Sequence, residues 1–347
     1  MSKTGRILTG HRPTGPRHIG HLVGTLENWR DLQDQYECFF LVADLHVLTT
    51  DYEHSDRIQE NTMETVFDWL AAGIDPEKST LILQSAAPQH SQLSLLLSML
   101  VSVARLERVP TYKEQVQQLG LTPSMGLLTY PLLQVADILL YRADAVPVGE
   151  DQLPHIELAR EVARRFNQLY GEYFPEPEAL LSHVPRLPGI DNRTMHTSYG
   201  NNILLKDTPE ETRRKVMQMY TDPTRLRTTD PGHVDGNPVF TYLDIFDPDK
   251  AGVQALKERY TAGRVGDVEV KQYLAGVLND YLAPLRERRA RFATRPNEVR
   301  EMLRLGTMRA QVDAQETMEA VMQQMGLSGG LNLNRIPAGQ AASGAFG

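Results

Sequence analysis

The fold is decided by the stretch Thr9-Gly10-His11-Arg12-Pro13-Thr14-Gly15-Pro16-Arg17-His18-Ile19-Gly20-His21. A strand is predicted immediately before it, over Arg6 to Thr9. After it, Leu22 to Leu32 carries apolar residues at helical spacing. We therefore expect a strand, a turn rich in Gly and Pro, and the start of a helix.

This predicted strand, turn and helix suit a nucleotide. A helix begins with unpaired N–H groups and a partial positive charge, which favour a phosphate. Gly10 and Gly15 permit tight turns, and Gly20 removes a side chain where a base or ribose approaches. His18 and His21 are three residues apart, so both project from one side of the first turn and can hydrogen-bond phosphate oxygens. Alternatively, the histidines only cap a helix after an ordinary loop.

Length and composition restrict the class of protein. A chain of 347 residues holds one large α/β domain plus a smaller one. A net charge of −8 argues against indiscriminate coating of nucleic acid, although a local basic face remains open. Cys38 is the single cysteine, which excludes an internal disulfide and a thiolate metal cage. We found no secretory leader and no apolar run of membrane-spanning length, and therefore expect a cytoplasmic protein without a membrane partner.

Strand and helix patterns alternate along the first two thirds of the chain. Strands are predicted over 6–9, 38–42, 80–84, 145–148 and 202–206, and helices over 22–32, 55–72, 93–106 and 153–169. This order is typical of an α/β fold with a doubly wound parallel sheet. His46 follows the strand 38–42 at the carboxyl edge, where ligands of such sheets collect, so it is a site candidate. A solvated loop histidine is the alternative.

Polar residues on an apolar helix mark a second candidate site. Pro131 suits a helix start, and Tyr130, Gln134 and Asp137 then share one face. These groups either pair internally or are offered to a polar ligand. Further along, Asp151 either caps the next helix or accepts hydrogen bonds from ribose hydroxyls.

These motifs resemble a known family. His18-Ile19-Gly20-His21 resembles the HIGH motif of class I aminoacyl-tRNA synthetases, which bind ATP on a Rossmann-type sheet. The runs GLLTYPLLQVADILLY, residues 126–141, and PVGEDQLPHIELAR, residues 147–160, resemble the bacterial tryptophanyl branch. The resemblance extends over residues 6–327. Tyrosyl enzymes share the fold and an aromatic pocket, so a tyrosine-specific synthetase remains an alternative.

The resemblance implies that the chain activates L-tryptophan with ATP and Mg²⁺, transfers it to tRNA(Trp) and forms a homodimer. The implied ATP-binding residues are Arg12, Pro13, Thr14, Gly20, His21, Gly149, Glu150, Asp151 and Leu187. The implied tryptophan-binding residues are Tyr130, Gln134, Asp137, His46 and Gln152, and the implied catalytic residues are His18, His21, Thr194, Met195, His196, Thr197 and Ser198. No resident metal site is expected. Asp137 is expected to accept the indole N–H, and a buried acceptor that its ligand must satisfy rejects phenylalanine-like competitors by roughly four to five orders of magnitude.

The chain departs from the family in one loop. The family has the motif KMSKS there, and its lysines meet the triphosphate, whereas this chain has Thr194-Met195-His196-Thr197-Ser198. Loss of one preorganised charge contact costs about 3 kcal/mol, or roughly a hundredfold in rate. Arg193 and His196 are the candidates for replacing part of that charge. We therefore expect a slow adenylating enzyme; a synthetase-like tryptophan-binding regulatory protein with weak aminoacylation is the alternative.

The remaining chain is predicted to be helical. We expect a Rossmann catalytic domain over 1–208, a helical domain over 209–327 and a flexible tail over 328–347. A linking loop region is predicted over 226–248, and the longest helices over 268–292 and 296–325. Eight arginines lie between Arg286 and Arg309. They form either a solvated surface or, as the resemblance implies, the face that reads the tRNA anticodon.

Overall fold

A parallel sheet of five strands organises the computed structural model, which describes residues 3–118, 123–181, 187–195, 199–222, 225, 227 and 229–327. The strands are β1 (Arg6–His11), β2 (Glu37–Val42), β3 (Thr80–Leu83), β4 (Ala145–Val148) and β5 (Glu178–Leu181). Their spatial order is β3-β2-β1-β4-β5, and every pair of neighbours is parallel. The predicted α/β class with a doubly wound parallel sheet is confirmed.

Helices lie between the strands along the chain and continue after the last strand. The first nine are α1 (Ile19–His21), α2 (Glu27–Leu32), α3 (Asp44–Leu48), α4 (Ile58–Ala72), α5 (Gln89–Ser98), α6 (Val103–Leu106), α7 (Pro110–Gln118), α8 (Met125–Leu140) and α9 (Leu153–Tyr170). The last five are α10 (Pro209–Met217), α11 (Pro238–Phe246), α12 (Lys250–Thr261), α13 (Asp267–Ala293) and α14 (Pro296–Gln324). None of the helices described in the chain is both long and apolar enough to cross a membrane.

Alternate side chains of the central strands build a core on each face of the sheet. On one face, Ile7 and Phe40 are fully buried among residues of α4 and α13. On the other face, Leu8 and Phe39 pack against α8, α9 and the end of α14. A strand buried on both faces reads as a continuous apolar run, which explains why residues 38–42, including Cys38, were recognised from the sequence.

Close backbone contact between β1 and β2 accounts for Gly10. A Cβ atom at this position would lie 2.1 Å from the carbonyl oxygen of Leu41 on the neighbouring strand. The predicted role of Gly10 as a turn glycine is therefore wrong, because β1 continues through it to His11. Gly15, by contrast, has a φ of 130°, a conformation that favours glycine in the turn that follows.

Two predicted strand and helix assignments are wrong. Residues 202–206 do not join the sheet; Leu204 forms a single antiparallel bridge with His18, and the position beyond β4 is taken by β5. The helix predicted over 93–106 is interrupted after Ser98 and restarts at Val103. Ser102 caps the restart, because its hydroxyl accepts the Arg105 N–H at 3.3 Å.

Capping side chains also correct two boundaries. Pro131 does not begin its helix: α8 begins at Met125, where the Ser124 hydroxyl accepts the Leu127 N–H at 3.0 Å, and Pro131 lies inside the helix. The loop predicted over 226–248 contains α11, which begins with Pro238 after the capping residue Asn237. Capping side chains therefore determine where these two helices begin. Neither the proline in α8 nor the polar composition of residues 226–248 predicted these boundaries.

The C-terminal helix α14 protects the open edge of the sheet. The Thr307 hydroxyl accepts the Leu83 N–H of the edge strand β3 at 3.0 Å. A Cβ atom at Gly306 would lie 2.2 Å from the carbonyl oxygen of Leu81. An uncovered edge strand presents unpaired backbone groups, and α14 supplies that cover here. Although α14 falls within the predicted helical region 209–327, it thus packs directly on the sheet.

We predict that Gly306→Ala lowers the free energy of unfolding by about 1–3 kcal/mol, because an added methyl group would overpack α14 against β3. The measurement is urea unfolding followed by circular dichroism. The matched control is Gly276→Ala in α13, where a Cβ atom meets nothing within 4 Å. The control should raise stability by up to about 1 kcal/mol through helix propensity. Equal effects of the two substitutions would contradict the close packing of α14.

Candidate active site

The site lies at the carboxyl edge of the sheet, where the strand order reverses. The chain proceeds outward from β1 to β2 and β3 on one side, and β4 and β5 occupy the other side. Ligands of open α/β sheets bind at this switch point, between β1 and β4. Residues Arg12, Pro13 and Thr14 follow β1, and residues Gly149, Glu150 and Asp151 follow β4. The fold therefore places at one edge of the sheet two segments that, by the resemblance, are expected to bind ATP.

The two predicted catalytic histidines lie at the first turn of helix after β1. Their ring centroids are 3.8 Å apart, and the backbone N–H of His18 points at Nδ1 of His21 over 3.4 Å. A π-helical turn, Leu22–Leu26, follows at once. Such turns are rare and often occur at functional sites. The prediction that both imidazoles share one side of a helix start is confirmed by this arrangement.

Behind these histidines lies His11, which the sequence analysis did not single out. Its Nδ1 accepts the indole N–H of Trp69 at 3.1 Å, so the proton of the neutral ring resides on Nε2, 3.2 Å from the Thr25 hydroxyl. That hydroxyl donates to the carbonyl oxygen of His21 at 2.7 Å. Burial, with the charges of Arg17 and His18, holds the pKa of His11 well below its usual range. His11 therefore supports the turn as a neutral ring.

Residues of the divergent loop contact the same turn. A Cβ atom at Gly20 would lie 3.3 Å from the sulfur of Met195, which is itself buried. Thr194 is exposed and forms a bridge with Pro188, next to the buried Leu187. His196, Thr197 and Ser198, predicted as catalytic, lie outside the described residues. Gly20 thus accommodates neighbouring protein atoms, namely His18 and Met195, on the side where a Cβ would project.

Arg193 is poorly placed to replace the missing lysines. It is exposed, and its guanidinium forms an ion pair with Asp191, with 2.6 Å between Nη2 and Oδ2. Its positive charge is therefore already balanced within its own loop. Arg12 is a better-placed cation, because it donates to the Thr50 hydroxyl and its charge lies near Tyr130. Burial lowers the pKa of Arg12, which Tyr130 and Asp51 partly oppose.

Residues after β4 form the exposed rim of the site. Glu150 and Asp151 are exposed, and Asp151 accepts the side-chain amide of Gln152 at 2.9 Å. The side-chain oxygen of Gln152 accepts the side-chain N–H of Gln134 at 3.4 Å. A Cβ atom at Gly149 would lie 2.8 Å from a carboxylate oxygen of Asp151. The predicted ribose-binding carboxylate thus joins the predicted amino-acid pocket through Gln152.

Asp137, one of the predicted tryptophan-binding residues, is a buried carboxylate. Oδ2 lies 2.9 Å from Nε2 of His46, and Oδ1 lies 2.7 Å from Nδ1 of His90. The Gln84 amide contacts both oxygens, at 2.8 and 2.9 Å. His90 is held in turn by the Tyr141 hydroxyl at 2.9 Å. Burial alone would raise the pKa of Asp137, but hydrogen bonds from His46 and His90 outweigh it and keep the pKa below its usual range.

These contacts correct one expectation about Asp137. A carboxylate accepts about four hydrogen bonds, and protein donors already provide four contacts. Asp137 is therefore not an acceptor that only a ligand can satisfy. His46 is also not a solvated loop residue, because it lies buried in α3.

A second polar cluster surrounds the Tyr130 hydroxyl. The Tyr130 hydroxyl bonds to the Thr111 hydroxyl and lies 3.2 Å from Nε2 of His155. His155 is buried, and Thr111 contacts it at 3.1 Å. The rings of Tyr130 and His46 are 6.4 Å apart, so this cluster adjoins the Asp137 cluster. The structure thus places three of the predicted tryptophan-binding residues, Tyr130, His46 and Asp137, in two adjoining polar clusters, whereas the other two, Gln134 and Gln152, contact each other at the rim.

The sequence analysis missed Gln84, His90 and Thr111. A signal existed for Gln84, because it follows β3 at the same carboxyl edge as His46. His90 and Thr111 are the second residues of α5 and α7. No local pattern distinguishes them from ordinary helix residues. Only tertiary contact reveals their roles.

Comparisons with known proteins agree with this geometry. The family described as tRNA synthetases class I (W and Y) matches residues 2–283. Tryptophan–tRNA ligases from Treponema pallidum and Thermotoga maritima are each 49% identical to the chain over 93% of its length, covering 97% and 99% of the relatives. The crystal structure of tryptophanyl-tRNA synthetase from Campylobacter jejuni, complexed with ADP and tryptophan, aligns with a TM-score of 0.85 at 33% identity, covering 93% of this chain and all of that one.

We predict that His155 weakens the fold in acid. Burial, assisted by the charge of His46, lowers the pKa of His155 to about 4, while an unfolded histidine titrates near 6.5. The unfolded chain therefore binds the extra proton between these values, and stability falls as pH drops through that window. His155→Gln should reduce the slope of unfolding free energy against pH by about 1.4 kcal/mol per pH unit between pH 6 and 4.5.

The measurement is urea unfolding at several pH values in that window. The control is His54→Gln, an exposed histidine whose pKa is raised by its hydrogen bond to Asp51. Because the pKa of His54 is raised in the folded chain, both states are mostly protonated in this window, and its loss should change the slope far less than the loss of His155. Parallel curves for wild type and His155→Gln would contradict a neutral buried His155.

Proposed function

We infer the function from one premise: the chain belongs to the class I tRNA synthetases for tryptophan and tyrosine. Within that family it acts as a tryptophan–tRNA ligase. The observation that carries this conclusion is 49% identity to tryptophan–tRNA ligases over nearly the whole chain. The site offers matching chemistry, because a buried carboxylate and a histidine turn both lie toward the carboxyl edge of the same sheet.

The reaction has two steps. A carboxylate oxygen of tryptophan attacks the α-phosphorus of ATP, the bond from that phosphorus to the bridging oxygen breaks, and pyrophosphate leaves. A ribose hydroxyl at the 3′ end of tRNA(Trp) then attacks the activated carbonyl carbon and releases AMP. Neither step needs a protein nucleophile. Catalysis therefore rests on alignment and on charges directed at the departing pyrophosphate.

We propose that the indole binds between the two polar clusters. Gln84 contacts both oxygens of Asp137, so it can yield one of them to the indole N–H and keep the other. Tyr130 and His46 supply flanking rings, and Gln134 and Gln152 close the pocket toward the rim. A hydrogen bond to a charged acceptor contributes about 1.5–3 kcal/mol, or roughly ten- to hundredfold in selectivity. This is less than the orders of magnitude expected for an unsatisfied acceptor.

We propose that ATP lies across the switch point. Members of this family use ATP, and ADP is bound in the structure of the Campylobacter jejuni relative. His18 and His21 face the phosphates, Arg12 adds a partly buried cation, and Asp151 accepts the ribose hydroxyls at the exposed rim. Mg²⁺ enters as part of the substrate, on the triphosphate.

Loss of the loop lysines sets the speed of the first step. Arg193 is balanced by Asp191, so it does not restore the missing charge. We therefore propose that pyrophosphate departure is slow in this chain and depends mainly on His18, His21 and Arg12. Catalysis remains because alignment and the other electrostatic contacts are retained.

We propose that the helical region contacts tRNA through only part of its arginine cluster. Arg286, Arg288, Arg289 and Arg309 are occupied by contacts with other elements of the protein. Arg291, Arg295, Arg300 and Arg304 are exposed, and within the described part of the chain their side chains contact residues three or four positions away. Exposed arginines of this kind bind phosphates, and the second set is the candidate tRNA surface.

We further propose a cytoplasmic homodimer. Four large apolar side chains are exposed on adjoining helices: Leu95 and Met99 on and after α5, Val103 on α6 and Met125 on α8, with exposed fractions of 61%, 68%, 59% and 72%. Helices α5 and α6 both pack against α8. Clustered apolar exposure of this kind marks an interaction surface, and a second copy of the chain is its occupant here.

We predict that the purified protein exchanges pyrophosphate into ATP only when tryptophan is present. Exchange with tyrosine or phenylalanine should be at least about a hundredfold slower, because both ligands lose the indole hydrogen bond and also fit the pocket less well. Thr197→Lys should raise the tryptophan-dependent rate by about tenfold to a hundredfold, because it restores a charge toward pyrophosphate.

The matched control for the lysine is Arg193→Lys, which preserves a charge that is already paired and should leave the rate unchanged. Exchange with tyrosine instead of tryptophan would assign the chain to the tyrosyl branch. Tryptophan binding without any exchange would assign it to a regulatory role.

We predict that Leu95→Glu combined with Met99→Glu converts the dimer into a monomer, because two carboxylates would be buried at the proposed interface. The measurement is analytical ultracentrifugation at micromolar concentration. Val268→Glu serves as the control, because Val268 is similarly exposed, at 59%, but lies at the start of α13. A wild-type monomer, or a double variant that still dimerises, would contradict the proposed interface.

A further inference from the structure

A second buried carboxylate, Asp68 in α4, connects two distant parts of the chain. Its Oδ2 accepts the backbone N–H of Arg17 at 2.6 Å. Its Oδ1 accepts the Nε–H of Arg289, also at 2.6 Å. The Asp68 side chain is fully buried, so neither oxygen exchanges its partner for water. One carboxylate thus holds both a backbone group beside the catalytic turn and a side chain of α13.

The Arg17 side of this contact belongs to the turn that carries His18 and His21. The carbonyl oxygen of Arg17 accepts the Leu205 N–H at 2.9 Å, and the Ile19 N–H donates to the carbonyl oxygen of Ile203 at 2.9 Å. Residues 203–205 therefore hold the turn on one side, and Asp68 holds the N–H of Arg17 on another. Neither contact involves an atom proposed to touch substrate.

The Arg289 side of the contact belongs to the C-terminal helices. Arg289 is 9% exposed, and its Nη2 lies 2.8 Å from a carboxylate oxygen of Glu64, one turn before Asp68 in α4. The neighbouring Arg288 donates through Nε to the carbonyl oxygen of Ala71 at 2.7 Å. The end of α13 is therefore fastened along α4, and Asp68 is the member of this set that also reaches the catalytic turn.

We propose that Asp68 is a positioning residue that couples the placement of α13 to the alignment of His18 and His21. This inference rests on the proposed function, because it assigns Asp68 to the same ATP-dependent step. Displacement of reacting groups by about 1 Å reduces rates by roughly a hundredfold, so a contact that sets the turn controls the rate without touching ATP. The contact of Arg289 in α13 with Asp68 therefore influences the catalytic turn.

The chemistry of a carboxylate makes this coupling testable. Asp68 offers one acceptor oxygen to each of two donors. Asparagine at the same position has one acceptor oxygen and one NH₂ group, which is a donor. In Asp68→Asn, the NH₂ group therefore faces either the Arg17 N–H or the Arg289 guanidinium, and both of these are donors. One of the two contacts must be released, although the size of the side chain is unchanged.

The experiment is tryptophan-dependent pyrophosphate exchange on the full chain, with kcat and KM measured separately. Asp68→Asn should lower kcat at least tenfold and leave KM for tryptophan within about twofold, because the tryptophan pocket is not part of this network. The control is Glu64→Gln, which weakens the ion pairs of Glu64 with Arg289 and Lys206 but leaves both hydrogen bonds of Asp68 in place, and its kcat should stay within about twofold of wild type.

A second variant distinguishes positioning from loss of stability. Asp68→Asn combined with Arg289→Met removes the competing guanidinium, so the asparagine oxygen can again accept the Arg17 N–H. The double variant should recover at least about fivefold in kcat over Asp68→Asn. In parallel, hydrogen exchange of the Arg17 amide should be faster in Asp68→Asn than in wild type and slower again in the double variant.

Several results would overturn the proposal. These are a wild-type kcat in Asp68→Asn, an equal loss in Glu64→Gln, or no recovery of kcat and amide protection in the double variant. If the proposed function itself were wrong, the wild-type protein would show no exchange of pyrophosphate. Hydrogen exchange of the Arg17 amide could still be compared among the wild type and the two variants, so the two failures are distinguishable.

Discussion

A negative charge buried at Asp137 is the constraint on which the site depends. An isolated carboxylate in a protein interior is strongly unfavourable, so its oxygens must be surrounded by donors. Here the donors come from three further elements: His46 from α3, Gln84 from the turn after β3 and His90 from α5. A single side chain of α8 therefore fixes the relative positions of the elements around the proposed amino-acid pocket.

The sheet places this pocket next to the histidine turn. Gly10 allows β1 and β2 to approach closely, and both strands end at the same edge as β3 and β4. The turn after β1 is then held by neutral His11 through Thr25, and by Asp68 through the Arg17 N–H. The alignment that we propose for His18 and His21 thus rests on hydrogen bonds around the turn. That support gains importance in a chain whose loop lacks the family lysines.

Sequence patterns predicted most of the sheet and part of the site. Strands such as residues 38–42 were recognisable because burial on both faces requires continuous apolar residues. Strand β5 was missed because Glu178–Leu181 is short, lies at an edge and is partly exposed. Asp137 was found from helical spacing, whereas its partner His90 was missed because their contact joins residues 47 positions apart, which no local pattern records. The interruption after Ser98 was missed because the apolar pattern continues across it.

The central claim is that this chain charges tRNA(Trp) with tryptophan through a site built on Asp137. The most direct measurement is attachment of labelled tryptophan or labelled tyrosine to transcripts of tRNA(Trp) and tRNA(Tyr), with ATP and Mg²⁺. The account predicts slow accumulation of tryptophanyl-tRNA(Trp), and no product with tyrosine or with tRNA(Tyr). Charging of tRNA(Tyr) with tyrosine, or no charging of either transcript by a protein that binds tryptophan, would contradict it.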